Sequence, residues 1–374
     1  MLRRLAIIVV LASVVAAPAA AAPAPEVAAA AYILVNPRTG ETLAQRAPDR
    51  ELAMASTTKI MTALVVLDEA GLDEEYTVPR AAVEIGGSSA GLVAGERLSV
   101  RDLLTGLLVA SGNDAGLTLA QGVAGSEAAF VELMNARARR MGLAHTRFHN
   151  AHGLDAPGHH SSVSDLIRLG RVAMRDPVFR AIVASRRATI PGPRGAGVRE
   201  LVSENLLLDL DPGADGVKTG MTNDAGYAIV ARSRRPALGV TLYAAMIGSP
   251  SGEQRAQDTK RLLDWGFAQY ARATLLPAGA IVGEAPVDDA PGVRVPYRPD
   301  RPLSAPIRLG QPLTETIVAP TEVRAPVSAG EVIGTITMRQ GGRVVGRRDL
   351  VAVRGAAEPG FLDRLRAGVE SLLP

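Results

Sequence analysis

The stretch Ala55-Ser56-Thr57-Thr58-Lys59-Ile60-Met61-Thr62-Ala63 decides how the chain is read. Short polar residues lead into an apolar run that stops at Gly71, which predicts a short extended segment entering a first long helix over about 56–70. A spacing of three puts the Ser56 hydroxyl and the Lys59 amine on one face of that helix. A hydroxyl at a helix start beside an amine is a nucleophile with a base at hand. A capping serine followed by a surface lysine explains the same four letters more plainly.

Residue usage separates the two. Of 41 basic residues only Lys59, Lys218 and Lys260 are lysine. Wherever a cation alone suffices the chain uses arginine, and what arginine lacks is a neutral, proton-accepting state. Lys59 is therefore a candidate base. A lysine near its ordinary pKa of ~10.4 needs roughly 4 kcal/mol to be neutral near pH 7.4, unless burial or a nearby cation lowers that cost. Lys218-Thr219-Gly220 offers such a cation on a predicted strand, after the turn-rich run Asp211 to Gly216, and Gly220 would let a ligand backbone approach closely. A third element, Ser111-Gly112-Asn113-Asp114, breaks two helical runs with turn-forming residues.

Outward from these motifs, the segments 32–35 and 41–45 flank Asn36-Pro37-Arg38-Thr39-Gly40 and predict a β-hairpin. Helices are predicted at 100–110, 115–121, 127–141 with Ser126 as N-cap, and 163–175 with Pro177 beyond the end. From Gly216 the pattern turns to strands, at 217–219, 227–232 and 240–247, before a last helix over 252–270. Strands, helices, strands and a helix make one α+β domain in which late strands pair with early ones. Beyond residue 275 the composition shifts toward Pro, Gly, Val and Arg, and alternating runs at 332–338 and 343–353 around Gln340-Gly341-Gly342 predict a separate small all-β domain. After Pro359, the apolar residues Phe361, Leu362, Leu365, Val369, Leu372 and Leu373 recur near helical spacing and predict an amphipathic C-terminal helix. At the other end, Arg3 and Arg4, an apolar stretch and an Ala/Pro-rich segment have the form of a secretory signal peptide cut after Ala21. The expected organisation is a signal peptide over 1–21, a catalytic domain over 22–274, an all-β domain over 275–355 and a tail helix over 356–374.

Composition narrows the function classes. With 374 residues, 47% hydrophobic and 21% charged, the chain has ordinary globular values, and no apolar run beyond the leader approaches the ~20 residues of a bilayer span. A formal charge of +3 without a basic block, and only 3% aromatic residues, disfavour nucleic acid as a partner. Cysteine is absent, which removes disulfides, thiolate metal sites and cysteine nucleophiles. An exported chain without cysteine fits a bacterial periplasm or cell envelope.

The ordered set S-x-x-K, S-x-N and K-T-G resembles the triad of penicillin-interacting acyl-serine enzymes. The surroundings, Phe148-His149-Asn150 to Gly153-Leu154 and Asp215-Gly216-Val217-Lys218-Thr219-Gly220-Met221-Thr222 among them, are similar to the serine-type D-Ala-D-Ala carboxypeptidases, the low-molecular-mass penicillin-binding proteins. The resemblance implies a β-lactamase/transpeptidase-like domain, an antiparallel sheet with a helical cluster, followed by an all-β domain and a membrane-seeking tail. It implies removal of the terminal D-Ala from peptidoglycan pentapeptides through an acyl-enzyme, acylation by β-lactam antibiotics, no cofactor and no metal, and an enzyme peripheral on the inner-membrane surface. Ser56 would be the nucleophile, Lys59 its proton acceptor, Ser111 a proton relay and Asn113 a partner of Lys59 or the donor peptide. Lys218, Thr219 and Gly220 would bind the substrate's carboxylate end, and the backbone N–H groups of Ser56 and Met221 would form the oxyanion hole. Met221 stands where some members carry histidine, and Gly158-His159-His160-Ser161-Ser162 replaces a frequent Tyr-Ser-Thr version. Arg255, four residues before Thr259 in the last helix, could approach the carboxylate site, but a solvated helix face is the expectation.

Three other readings compete, one of them a catalytically idle penicillin-binding scaffold, which three intact motifs disfavour. All five histidines fall between 145 and 160, as a zinc peptidase or metal-binding module would need, but the spacing is not H-E-x-x-H and a solvent-facing loop is the expectation. A β-lactamase-like hydrolase would share the motifs but needs a deacylating glutamate, for which no candidate is evident, and lacks a β domain.

Overall fold

The first hairpin forms as its turn chemistry predicts. β1 (Ala31–Asn36) and β2 (Glu41–Arg46) pair antiparallel, and Asn36 Oδ1 accepts from the N–H groups of Arg38 and Thr39. The structure is a computed structural model that describes residues 23–193, 196–288, 290–358 and 360. A 3-10 turn (Ala55–Thr58) then runs into α1 (Lys59–Glu69), and β3 (Glu75–Thr77) and β4 (Arg97–Ser99) pair around α2 (Arg80–Glu84). A helical cluster follows: α3 (Val100–Leu108), α4 (Asn113–Ala124), α5 (Glu127–Arg140), α6 (Val163–Ala173) and α7 (Pro177–Val183). The hairpin of β5 (Arg187–Pro191) with β6 (Val198–Val202) and the short α8 (Leu207–Leu210) lead to β7 (Ala214–Thr222), β8 (Gly226–Arg235), β9 (Val240–Ser249) and α9 (Gly252–Ala268).

The principal sheet has the order β2-β1-β9-β8-β7 and is antiparallel throughout, so the early strand β1 is zipped to the late strand β9. That closure was expected from the order of elements. β8 and β9 lack the alternation of a half-exposed strand, with Ala228 to Ala231 and Leu242 to Ile247 all buried, because helices cover both faces. α6 lies over the face that carries Val230, and α9 over the face that carries Leu34 and Leu242. The helices α1, α3, α4 and α5 extend the same core through Ile60, Met61, Leu103, Leu107, Leu119, Phe130 and Met134. β7 ends the sheet order, and it is this strand that runs past the 3-10 turn of Ser56.

Several expectations shift. Pro177 does not simply lie beyond a helix; it opens α7, with Asp176 capping the N–H groups of Val178 and Phe179, as proline at a first helical position permits. The helix predicted at 115–121 begins at Asn113 and runs to Ala124, where Gly125 turns left-handed. The last helix stops at Ala268 rather than 270, because Tyr270 begins a strand.

The second compact unit comprises residues 237–239 and the described chain from Ala268 onward, so it begins ahead of the boundary expected at 275. The physical reason is that β10 (Tyr270–Leu276) pairs with β13 (Leu303–Arg308). The rest is an antiparallel sheet of β11 (Gly283–Pro286), β12 (Arg294–Pro299), β14 (Leu313–Val318), β15 (Val332–Gln340) and β16 (Arg343–Ala352), in the order β11-β12-β16-β15-β14. Gln340 faces Arg343 across Gly341 and Gly342, both at positive φ, the two-residue hairpin that a Gly-Gly pair favours. Ile336, Met338, Leu350, Val295 and Tyr297 are central to its core. The predicted leader and tail helix lie outside the described residues.

Candidate active site

The 3-10 turn ahead of α1 places Ser56 and Lys59 one turn apart, and the turn is braced by its own threonines. Thr57 Oγ1 donates to Met54 O at 2.6 Å and Thr58 Oγ1 to Ala55 O at 2.8 Å, while Ala55 sits at φ 49, a strained conformation for a residue with a side chain. Two backbones press on this turn. A Cβ on Gly153 would stand 2.1 Å from Ala55 O, and one on Gly220 would stand 2.6 Å from Ser56 N, so both glycines are required by close approach. The turn of Ser56 is thus clamped between the 150–154 segment and β7.

Lys59 is fully buried and its Nζ meets three oxygens: Ser56 Oγ at 2.7 Å, Asn113 Oδ1 at 2.7 Å and the backbone carbonyl of His152 at 2.6 Å. Burial above all, and then the charge of Lys218, pushes its pKa well below the ordinary lysine value. A neutral amine has two N–H groups and one lone pair. The two carbonyl oxygens can take both N–H groups, which leaves the lone pair for the Ser56 proton. This arrangement can deprotonate a serine.

Ser111, Asn113 and the covering loop form the next layer. Ser111 is buried at φ 58, a strained backbone at the joint between α3 and α4. Asn113 begins α4, and its Nδ2 donates to Gly86 O at 2.9 Å. Asp114, buried, accepts from Ser89 Oγ at 2.5 Å, Ala90 N at 2.9 Å and Leu92 N at 3.0 Å, and so ties the 88–92 loop over the start of α4.

The third motif lies on β7. Lys218 and Thr219 are buried, Lys218 Nζ donates to Thr219 O at 2.8 Å, and burial pushes its pKa down to about 8, with Glu204 opposing and Arg255 assisting the shift. The Met221 side chain is exposed. Arg255 departs from expectation: it is 5% exposed, not on a solvated face. Its guanidinium reaches Gly220 O, Ala228 O and Glu204 O, each at 3.4 Å, its Nε has no partner, and it lies 5.8 Å from the centre of the Tyr227 ring. Arg255 is long enough to run from α9 under the sheet to the K-T-G strand, and helical spacing alone does not distinguish that path from one into solvent.

The histidine loop is also more buried than expected. Leu154 N–H donates to His152 Nδ1 at 3.2 Å, which places the proton on Nε2, and Nε2 lies 3.3 Å from Glu127 Oε1. His149 N–H donates to His159 Nδ1 at 3.0 Å, so His159 Nε2–H faces Thr58 Oγ1 at 2.8 Å, in the turn that carries Ser56. Burial, first, and then neighbouring cations push His152 down to about 3 and His159 to about 4, and the nearby Glu127 carboxylate does not offset this for His152. Of the others, His145 and His160 flank Glu51 at 3.5 and 3.6 Å. Among the described residues no group of three or more His, Asp or Glu side chains is arranged to hold a metal ion.

An antiparallel sheet with a helical cluster that buries a lysine against a serine at a helix start defines a transpeptidase-like serine hydrolase. Residues 17–250 match the family of D-alanyl-D-alanine carboxypeptidases, and residues 270–356 match the C-terminal domain of penicillin-binding protein 5. Over 366 residues the chain is 32% identical to D-alanyl-D-alanine carboxypeptidase DacC of Escherichia coli, covering 91% of this chain and 88% of that one. It is 28% identical to DacF of Bacillus subtilis, over 89% and 87% of the two chains. Among solved structures it is similar to penicillin binding protein 5 from Haemophilus influenzae, with 28% identity and a TM-score of 0.65 over 90% of this chain and 100% of that one. It is also similar to the Streptomyces K15 DD-transpeptidase, with 32% identity and a TM-score of 0.62 over 66% of this chain and 100% of that one. The chain belongs to the D-alanyl-D-alanine carboxypeptidase family.

Proposed function

We propose that this carboxypeptidase removes the terminal D-Ala of peptidoglycan stem peptides with Ser56 as nucleophile and Lys59 as base. The observation that carries this assignment is the buried Lys59 amine, 2.7 Å from Ser56 Oγ, with two carbonyl acceptors, and a second buried lysine, Lys218, whose charge acts on it. Ser56 Oγ bonds to the carbonyl carbon of the penultimate D-Ala as its proton passes to Lys59 Nζ. The oxyanion forms against the backbone N–H groups of Ser56 and Met221. Its collapse breaks the C–N bond, and the departing amine takes a proton relayed through Ser111. Water, deprotonated by Lys59, then attacks the acyl ester and frees Ser56. Asn113 keeps Lys59 oriented, and Lys218, Thr219 and Gly220 receive the substrate's terminal carboxylate. Arg255, behind Gly220, adds positive potential at that end.

The same attack on a β-lactam ring would leave the antibiotic on the enzyme. Mass spectrometry after incubation with a penicillin should find one adduct, on the peptide that contains Ser56; a label on Ser111, or none, would overturn the assignment.

We also propose export through the 1–21 leader to the periplasm, a catalytic domain followed in the chain by the all-β domain, and weak peripheral attachment through an amphipathic helix within 356–374. No helix among the described residues is long and apolar enough to cross a membrane; the proposal of contact through the tail rests on the spacing of its apolar residues in the sequence. Deleting residues 360–374 should release the protein from membranes with its activity in solution intact. An unchanged fractionation would assign the tail to packing.

A further inference from the structure

We propose that Glu127 is a positioning residue for Lys59, acting through the turn that presents the His152 carbonyl. The proposal rests on Lys59 being the proton acceptor. Glu127 is the first residue of α5, whose start is already capped by Ser126 Oγ accepting from Ala129 N–H at 3.2 Å. The carboxylate points away from its own helix. Its Oε1 accepts from Ala151 N–H at 2.9 Å and lies 3.3 Å from His152 Nε2. The backbone carbonyl of His152, one residue after Ala151, is the one on Lys59 Nζ.

The shape of the turn comes from Asn150, whose Oδ1 accepts from His152 N and Gly153 N and whose Nδ2 donates to Leu154 O. Its position relative to the helices comes from two side chains that hold Ala151 from opposite ends. Thr62 Oγ1 on α1 donates to Ala151 O at 2.6 Å, and Glu127 on α5 accepts from its N–H. If the His152 carbonyl drifts, one N–H of the neutral amine loses its acceptor and turns toward Ser56 Oγ. The lone pair then no longer faces the Ser56 proton. An error of an angstrom in such a constellation is enough to cost about 100-fold in rate.

A negative charge in a helix's first turn is also favoured by the helix dipole, and this gives the competing explanation. Reach separates the two. Glu127→Asp keeps the charge at the helix start but withdraws the carboxylate by a methylene; Glu127→Gln keeps the reach and an oxygen acceptor but removes the charge. Both are made in the full chain, and acylation by a chromogenic β-lactam is followed across pH, beside kcat and KM on a D-Ala-D-Ala peptide. Positioning predicts that Glu127→Asp loses about 10- to 100-fold in acylation rate with little change in KM, and that Glu127→Gln recovers most of it. The groups that face Lys59 are Lys218, Glu204 and Asp114, together with His152, which is neutral near pH 7, and none of them is altered. A carbonyl acceptor favours the ammonium form, so its displacement in Glu127→Asp should also move the acid limb of acylation to lower pH. Equal thermal midpoints exclude a folding defect as the cause. The proposal fails if Glu127→Asp acylates at the parent rate, if Glu127→Gln is the more damaged variant, or if the loss lies in KM alone. Lys59→Arg serves as the reference: if it stays active, the role of Lys59 falls; if it collapses while Glu127→Asp is silent, only the role of Glu127 falls.

Discussion

The helix start that carries Lys59 and the edge strand that carries Lys218 each bury a lysine, yet in the different surroundings that the proposed base and the proposed cation require. Lys59 has three oxygen partners arranged so that a neutral amine is fully used, and burial and the Lys218 charge both act against its ammonium form. Lys218 has the Thr219 carbonyl as acceptor, and Glu204 pulls against the effect of burial, so that it stays at about 8 and is charged at neutral pH. Burial alone does not assign a role. The charge of Lys218 on Lys59 pushes the two titrations apart, which is how one site could hold a base and a cation together.

The strongest way to break this comparison is to remove the one property that distinguishes a base. Lys59→Arg keeps the charge and much of the bulk but has no accessible neutral state, so penicillin acylation should fall by several orders of magnitude, on the order of 10³ or more. Retention of near-parental acylation would show that Lys59 is no base, and the contrast with Lys218 would vanish.

Lys218→Arg sharpens it. Arginine preserves the cation and misplaces it through a planar fork, so acylation should drop only about tenfold. The pH dependence is the better readout. Lys218 is protonated below about 8 and loses its charge above that value, so the parent should lose activity on the alkaline side near 8. Arginine does not titrate there, and that limb should flatten in the variant. An alkaline limb that persists unchanged in Lys218→Arg would remove the cationic role.

A smaller effect tests the histidines next to Lys59: His152, whose carbonyl meets its amine, and His159, on Thr58. His152 and His159 have folded pKa values of about 3 and about 4, below the ~6.5 of an unfolded chain, so the neutral forms are the ones the fold favours. Their contribution is complete above about pH 6.5 and is lost as pH falls through the window from 6.5 toward 4, because the unfolded chain binds protons first. Each should contribute a slope of about 1.4 kcal/mol per pH unit within that window. His159→Gln can still accept from His149 N–H and donate to Thr58 Oγ1, so it should remove roughly half of the slope without harming activity at neutral pH. Urea titrations at several pH values decide it; a stability that is flat from pH 7 to 5 would refute the two buried neutral imidazoles.

The predicted motifs converge where side chains announce chemistry, and the sequence is silent where the working group is backbone. Ser56, Lys59 and Asn113 meet as the spacing and the resemblance imply, and the hairpin at Asn36 to Gly40 and the Gly341-Gly342 turn were legible from local turn chemistry. The third acceptor on Lys59 is a carbonyl, which no residue type encodes, and its anchor Glu127 looks like any acid at a helix start. Arg255 was read as solvated because an arginine in an amphipathic helix is equally compatible with water and with a long reach beneath a sheet. The short strands β5 and β6 escaped prediction since their apolar residues do not mark one face: Val198 and Val202 are exposed, and only Ile190 and Leu201 are buried. Pro177 carries a signal for a helix end and for a helix start alike, and Asp176, one residue ahead of it, was the clue to the second.

The weakest expected effect comes from the remaining lysine. Lys260 lies on α9 with its side chain 38% exposed and pairs with Asp264 one turn on, itself 44% exposed. Such exposed pairs contribute at most ~1 kcal/mol, and arginine can make the same contact through its fork. Lys260 therefore needs no neutral state, and if lysine is retained at 59 and 218 for its chemistry, 260 is the position where the exchange should be silent. Lys260→Arg should leave acylation within about twofold of the parent and stability within about 0.5 kcal/mol. The ranking Lys260→Arg, Lys218→Arg, Lys59→Arg, from mildest to most severe, then follows the number of properties each site asks of its lysine: a charge that arginine also supplies, a charge at one place, and a proton acceptor. A Lys260→Arg enzyme as impaired as Lys218→Arg would mean that scarcity of lysine carries no chemical information here, and the argument that first singled out Lys59 would have to stand on its geometry alone.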